Sequence, residues 1–277
     1  DSIEIAITVS DSNANIKYTL NAMPPGIVGA NYNQPFGLGV TRAVRARSFL
    51  DDHIPSEIVT HSILINEDDY TLPVISLVAD NDKVWGDEGF YDFGPPDYDT
   101  VRPYHGANFW EDWEVPMLMQ YFNEDKELEF EQWLGAKIHG NISRGHDMKS
   151  LRFYARQRYG VGELDFPLIP DRDLDEYKTF ILRNAGNDFI RAHFRDAWVH
   201  TLILRDSVVD MEVSGYFPVI VFLNGRYWGI HNIRERVDED YLAAHSTADP
   251  AKLDLLEDNN IVVCLLYTSD AADDANC

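Results

Sequence analysis

The sequence predicts an α+β protein in two parts, a small all-β sandwich followed by a larger domain that mixes strands with helices. Three observations predict it. Residues 1–66 hold short alternating strands separated by turn clusters. Beyond residue 72, strands are interrupted by the segment 189–205, where Ile190, Phe194, Ala197, Trp198, Thr201 and Leu202 recur at helical spacing. Asn224-Gly225 lies between two apolar runs, the strongest short-range signal for a β-hairpin.

Composition limits what the protein does. A chain of 277 residues, 45% hydrophobic, buries a substantial core. Its formal charge of -24 repels phosphate backbones and anionic lipid, which argues against a nucleic-acid or membrane-surface binder. No apolar run approaches the roughly 18 residues of a membrane-spanning helix.

The segment from Cys264 to Asp273 reads, codon for codon, like a translated transposase adapter of sequencing libraries. Residues 264–277 are therefore expected to be an artefact, with the natural sequence interrupted near Val263. Both cysteines, Cys264 and Cys277, fall in that tail, so no disulfide, thiol nucleophile or cysteine zinc site is expected.

In the first part, strands are expected over 3–9, 15–20 and 41–49. Asn66-Glu-Asp-Asp69 is a polar hinge, and the second domain, 72–263, starts at the apolar strand Leu72-Pro-Val-Ile-Ser-Leu77. From Asp80 to Glu131 there are 15 acidic residues against Lys83, Arg102 and Lys126, interleaved with aromatics. This reads as long loops with an acidic, aromatic-lined surface suited to a basic peptide, or simply as a solvated face.

Leu134-Gly-Ala-Lys-Ile-His-Gly140 is a strand ending in a glycine turn, 141–149 a polar loop, and 150–156 a second strand. Period two puts Lys149, Leu151 and Phe153 on one face of that strand, and Ser150, Arg152 and Tyr154 on the other. Arg144, Lys149, Arg152, Arg156 and Arg158 stand against Asp147 alone, a local anion-attracting stretch in an acidic chain. Further on, Asn187 or Asp188 is placed to cap the helix over 189–205. The hairpin around Asn224-Gly225 leads through 232–238 into a short helix over 239–245.

Several blocks taken together resemble the spore-coat protein H (CotH) kinase-like family. They are Leu72-Pro-Val-Ile-Ser-Leu77, Ile138-His-Gly140 with Ser143-Arg144 and Lys149-Ser-Leu-Arg152, Leu182-Arg-Asn184 with Asn187-Asp188, Phe222-Leu-Asn-Gly225, and Arg234-Glu-Arg236 with Asp238. The resemblance implies an atypical protein-kinase-like α+β fold, C-terminally truncated here, with two lobes around an ATP site. It also implies phosphoryl transfer with ATP and Mg²⁺ or Mn²⁺ to Ser/Thr of a surface or coat protein, in a bacterial, extracellular or cell-envelope setting. The acceptor would be a basic or Ser/Thr-rich protein. Asn15-Ile-Lys-Tyr-Thr-Leu20 and Arg42-Ala-Val-Arg-Ala-Arg-Ser-Phe49 in the first part resemble the immunoglobulin-like module at the C-terminus of chitobiases, which implies a spacer.

Phosphoryl transfer needs cations on the phosphates, a carboxylate-held metal and a carboxylate to orient the attacking hydroxyl. Lys149 suits the first role, with Arg152, Arg144, Ser143 and Asn184 as further contacts. Asp188 is either the catalytic base, a metal ligand or only a helix cap. Asp188, Asp210, Glu235 and Asp238 compete for the metal. His139, His193 and His200 read as structural histidines, and Arg195-Asp196 as a structural pair. No His-x-x-x-His or His-Glu-x-x-His pair, nucleophile elbow or Walker loop is present. The alternative is a non-catalytic surface binding or adhesion module with a pseudokinase fold.

Overall fold

The computed structural model describes residues 2–26, 28–67, 69–205, 211–247 and 249, with the backbone of Asp254–Glu257 and Asn260–Cys264. Residues 265–277, most of the expected artefact, lie outside the described residues, as does Asp210.

The first part contains β1 (Ile3–Ile5), β2 (Asn15–Thr19), β3 (Ala30–Asn31), β4 (Phe36–Leu38), β5 (Arg42–Phe49) and β6 (Val59–Ile63). β1 pairs with β4, and the other four form an antiparallel sheet in the order β3-β2-β5-β6. Leu38, Val44 and Ile65 make its small core, and Tyr18 stacks on Phe36 at 4.5 Å between ring centroids.

The second part contains β7 (Val74–Val78), α1 (Asn81–Val84), β8 (Val115–Phe122), β9 (Leu128–His139), β10 (Ser150–Tyr154), β11 (Leu164–Asp165), β12 (Glu176–Tyr177) and β13 (Thr179–Arg183). After these come α2 (Arg195–Arg205), β14 (Tyr216–Leu223), β15 (Arg226–Glu235), α3 (Glu239–His245), β16 (Asp254–Glu257) and β17 (Asn260–Cys264). Seven strands close a barrel in the order β10-β13-β15-β14-β7-β8-β9. Its pairings are antiparallel except the one between β14 and β7. Alternation along each strand sends one set of side chains inward, among them Met117, Leu134, Phe153, Phe180, Val221 and Ile233, and the other set outward. Closure leaves no barrel strand with an unpaired edge.

β14 and β15 form the hairpin that Asn224-Gly225 signals. Both turn residues have positive φ, 51° and 75°, the geometry of a type I′ turn. A Cβ on Gly225 would lie 2.6 Å from the Ala43 backbone nitrogen, so the turn also needs glycine because it presses against β5. Between α1 and β8 the chain is largely irregular, yet its aromatics are not an open lining. Phe90, Tyr91 and Phe109 are buried against the barrel core, leaving most of the acids outside.

The expected kinase-like α+β architecture is not the one adopted. Seventeen strands stand against three α-helices among the described residues, and the longest helix has 11 residues. Periodicity identified several of the strands, but not β8 or the first half of β9, which fall in the stretch read as loops, and it did not register that the strands close on themselves instead of forming one wall of a helix-backed lobe. The helix over 189–205 is also shortened. His193 has φ of 67°, and the Asp188 carboxylate accepts the backbone N–H groups of Ala192 and Arg195, so regular helix begins only at Arg195.

The two parts are joined by buried contacts. Ser62 donates its backbone N–H to Gln120 Oε1 at 3.0 Å, and its hydroxyl meets that of Ser76 at 2.7 Å. Arg45, nearly fully buried, pairs with Asp80 at 2.6 Å, and Ala22 and Ala43 pack on Val78 and Leu118. All five residues of β7 are buried for this reason: the barrel core covers one face, and the other is covered largely by the first part.

Candidate anion-binding face

The barrel wall made by β9, β10, β13 and β15 carries a basic outer surface. Arg152 on β10 sits opposite Lys137 on β9 and Ile181 on β13, and Ile181 sits opposite Arg234 on β15. In the neighbouring row, Ser150 sits opposite His139, and Arg183 opposite Asn232. Every second residue faces outward, so these groups share one face while Leu151, Phe153, Phe180, Leu182 and Ile233 fill the barrel behind them.

Four buried nitrogens on this face have no hydrogen-bond partner: His139 Nδ1, Arg152 Nε, Asn232 Nδ2 and Arg234 Nη1. Leaving such a group unpaired costs about 1–3 kcal/mol each, and buried polar groups are normally satisfied. Among the described residues, the carboxylate paired to the central arginines is Asp196 of α2, 2.7 Å from Arg183 Nε and 3.7 Å from Arg234 Nη1. Among the described residues Arg152 has no ion-pair partner; its guanidinium lies 5.7 Å from the Tyr154 ring centroid.

Electrostatics on this face disfavour further positive charge. Burial, reinforced by Arg152, Arg183, Arg144 and Arg236, pushes the His139 imidazole down to about 3, so it is neutral. Burial also lowers Arg234, Asp196 partly offsets this, and Arg183 adds to it. His200 of α2 contacts Arg234 through Nδ1, and burial and that guanidinium hold its ring below the usual histidine range. A bound anion would relieve all three.

The residues expected to form the site separate into several locations. Lys149 is buried on the opposite side of the strand from Arg152. Its ammonium donates to the carbonyls of Arg144 and His146, both at 2.9 Å, and lies 3.9 Å from the Phe109 ring centroid. Burial pushes it down to about 8. Arg144 pins the preceding loop, donating to the carbonyls of Gly140 and Phe109. Ser143 lies in that loop against Gly140, where a Cβ would come 2.4 Å from the serine hydroxyl. Asn184 is a buried strut: its carboxamide accepts from Ser150 Oγ and Gly186 N–H and donates to the Met148 carbonyl.

Of the expected metal carboxylates, the three that are described, Asp188, Glu235 and Asp238, each have partners of their own. Asp188 is held by Arg195 at 2.7 Å; burial resists its ionisation, but bonds from the Arg195 backbone and side chain and the Ala192 N–H keep its carboxyl below the usual range. Glu235 is buried with Arg172, the Gly215 N–H and His245. Asp238 caps α3 through the Tyr241 N–H and accepts from Thr179 Oγ1. No group of three metal-ligating side chains occurs among the described residues.

His139, Arg183, Asn232 and Arg234 were not singled out from the sequence as site residues. The signal for them was available in the same period-two reading that placed Arg152 outward, applied to Thr179-Phe-Ile-Leu-Arg183 and Asn232-Ile-Arg234.

Comparison with known families gives two matches. Residues 136–275 are similar to the family described as CotH kinase protein, and residues 5–63 to the module described as Fn3 associated. The first span includes the last four residues of β9 and the outer-face strands β10, β13 and β15. No curated protein matches the chain.

Proposed function

The chain belongs to the CotH kinase protein family, and on that premise we propose that it transfers a phosphoryl group from ATP to Ser or Thr hydroxyls of a surface or coat protein. In this reading the nucleotide phosphates lie across the outer face of β9, β10, β13 and β15, held by Arg152, Arg183 and Arg234. His139 and Asn232 complete the donor set. The observation that carries the reading is the group of four buried nitrogens without a hydrogen bond on one basic surface of a chain whose net charge is -24. A polyphosphate offers the acceptors those nitrogens lack and the charge the arginines need. Lys149 acts from behind, fixing the 141–149 loop and the start of β10.

ATP would bring Mg²⁺ or Mn²⁺ with it, but the described carboxylates do not make a site for the ion. The acceptor is a basic or Ser/Thr-rich protein, drawn by the acidic surface of residues 80–131. In this reading the protein works outside the cell or on the envelope of a bacterium, with the first module held against the barrel.

A second reading, a non-catalytic binding or adhesion module, is favoured by one observation. Asp188 is tied to Arg195, and no described carboxylate on the basic face is left to orient a hydroxyl. Incubation with γ-labelled ATP, Mn²⁺ and a basic Ser/Thr-rich protein separates the two. Transfer of label that Arg152→Gln abolishes supports the first reading. ATP binding without transfer favours the second, and absence of both overturns the assignment of this face.

A further inference from the structure

Where the first module meets the barrel, a groove of about 840 Å³ lies between β5, the 57–58 segment and the outer surface of β8 and β9, and a smaller one of about 410 Å³ adjoins it. The larger volume is within the range of small-ligand sites, roughly 300–1,000 Å³. Ile58, Trp133, Tyr159 and Gly160 line both, so an indole and a phenol, each half-buried, stand at their junction. The groove is preformed, because the two walls are fixed by the buried Ser62–Gln120, Ser62–Ser76 and Arg45–Asp80 contacts.

Each groove also carries a buried polar atom without a partner. Arg45, which lines the larger groove, is 3% exposed with an unpaired Nε, and Thr60, which lines the smaller one, is 5% exposed with an unpaired Oγ1. Beside them, Arg47 forms no ion pair among the described residues, its Nε donating to the Ser56 carbonyl at 2.5 Å. Of the other cations lining the larger groove, Arg45 is paired with Asp80, Lys83 with Glu88 and Arg158 with Glu114, so Arg47 is the lining cation without a carboxylate among the described residues.

Two observations select among occupants. An extended peptide would add as a strand to β6, the edge of its sheet. That edge is already engaged: Gln120 accepts from the Ser62 N–H at 3.0 Å and donates to the Thr60 carbonyl at 3.4 Å. A polyhydroxylated ring instead offers an apolar face to the indole and hydroxyls to unpaired donors and acceptors. We infer that this groove binds an acidic oligosaccharide, its rings against Trp133 and Tyr159 and a carboxylate on Arg47. This site is separate from the basic face of β9, β10, β13 and β15 and goes beyond the phosphoryl-transfer reading.

The test is calorimetric titration of the chain with a hexamer of galacturonate and, in parallel, with cellohexaose, both without nucleotide. The acidic hexamer is expected to bind, more weakly as salt is raised, and cellohexaose to bind much less. Arg47→Gln should lower affinity at least about tenfold, the loss of one charge-assisted bond. Trp133→Phe, which keeps the packing on Leu118, should lower it as well. Arg152→Gln should leave it unchanged, so failure here and failure of the phosphate site are read independently. No binding of the acidic hexamer to the unaltered chain overturns the inference, as does equal binding of the two hexamers or unchanged affinity in both groove variants with the melting temperature preserved.

Discussion

Lys149 and Arg152 stand three residues apart at the start of one strand and face opposite ways. The lysine ammonium is enclosed by the Arg144 and His146 carbonyls and the Phe109 ring, whereas the arginine lies on the outer surface with a buried Nε–H for which no described residue supplies an acceptor. The first is a satisfied structural cation, and the second is a cation with capacity left over. Their substitutions should therefore have different consequences.

Lys149→Met is expected to alter stability and its pH dependence. The folded value of about 8 lies below the ordinary 10.5, so between them the unfolded chain binds more protons. Stability should therefore rise as pH is raised through this window, the opposite of the pattern for a lysine held by a carboxylate. Above about 10 the buried tyrosines Tyr91, Tyr121 and Tyr177, whose phenols are raised by burial, begin to oppose the gain. Melting curves from about pH 8 to 10 should show a rise in the unaltered chain that the methionine variant lacks.

His139 should link the basic face to acid stability. Its folded value of about 3 is far below the ordinary 6.5, so the unfolded chain takes up a proton that the folded chain refuses as pH falls between them. Stability is lost on acidification, and His139→Asn should flatten that loss, leaving the part due to His231, which burial lowers to about 4. Inorganic tripolyphosphate, by offsetting the arginines, should protect more at about pH 5.5 than at about pH 7.5. Denaturant melts at the two pH values measure both effects.

Gly225→Ala should destabilise by about 1–3 kcal/mol, because the turn holds a positive φ and the new Cβ would meet the β5 backbone. The loss should appear in the unfolding midpoint of the whole chain, since the hairpin tip touches both parts.

Gln120→Leu should cost about 1–3 kcal/mol by stranding the buried Ser62 N–H. One cooperative transition is expected for the unaltered chain, and loosening of the first module in the variant should be visible by hydrogen exchange in β6 before β7.

What the sequence made legible was local. The Asn224-Gly225 hairpin, the outward placement of Arg152 and the unusual burial of Lys149 all follow from turn chemistry and period-two alternation. Barrel closure was not legible, because the parallel contact between β14 and β7 joins residues far apart in sequence and leaves no mark in either strand's pattern. The basic face was only half legible for a related reason. Arg152, Arg183 and Arg234 are each one outward residue on a different strand, and strand order alone makes them neighbours. Asp188 was read as a possible cap, and it does serve the start of α2, but from seven residues upstream of Arg195 through a turn that helical spacing does not predict.

The central claim is that phosphate binds on the Arg152 side of β10 and not on the Lys149 side. The most direct measurement is the calorimetric affinity for ATP of the unaltered chain, Arg152→Gln and Lys149→Met at matched ionic strength. The account predicts that Arg152→Gln weakens binding by about tenfold or more, while a folded Lys149→Met stays within about twofold. The reverse order, with affinity lost at Lys149 and retained at Arg152, would contradict it.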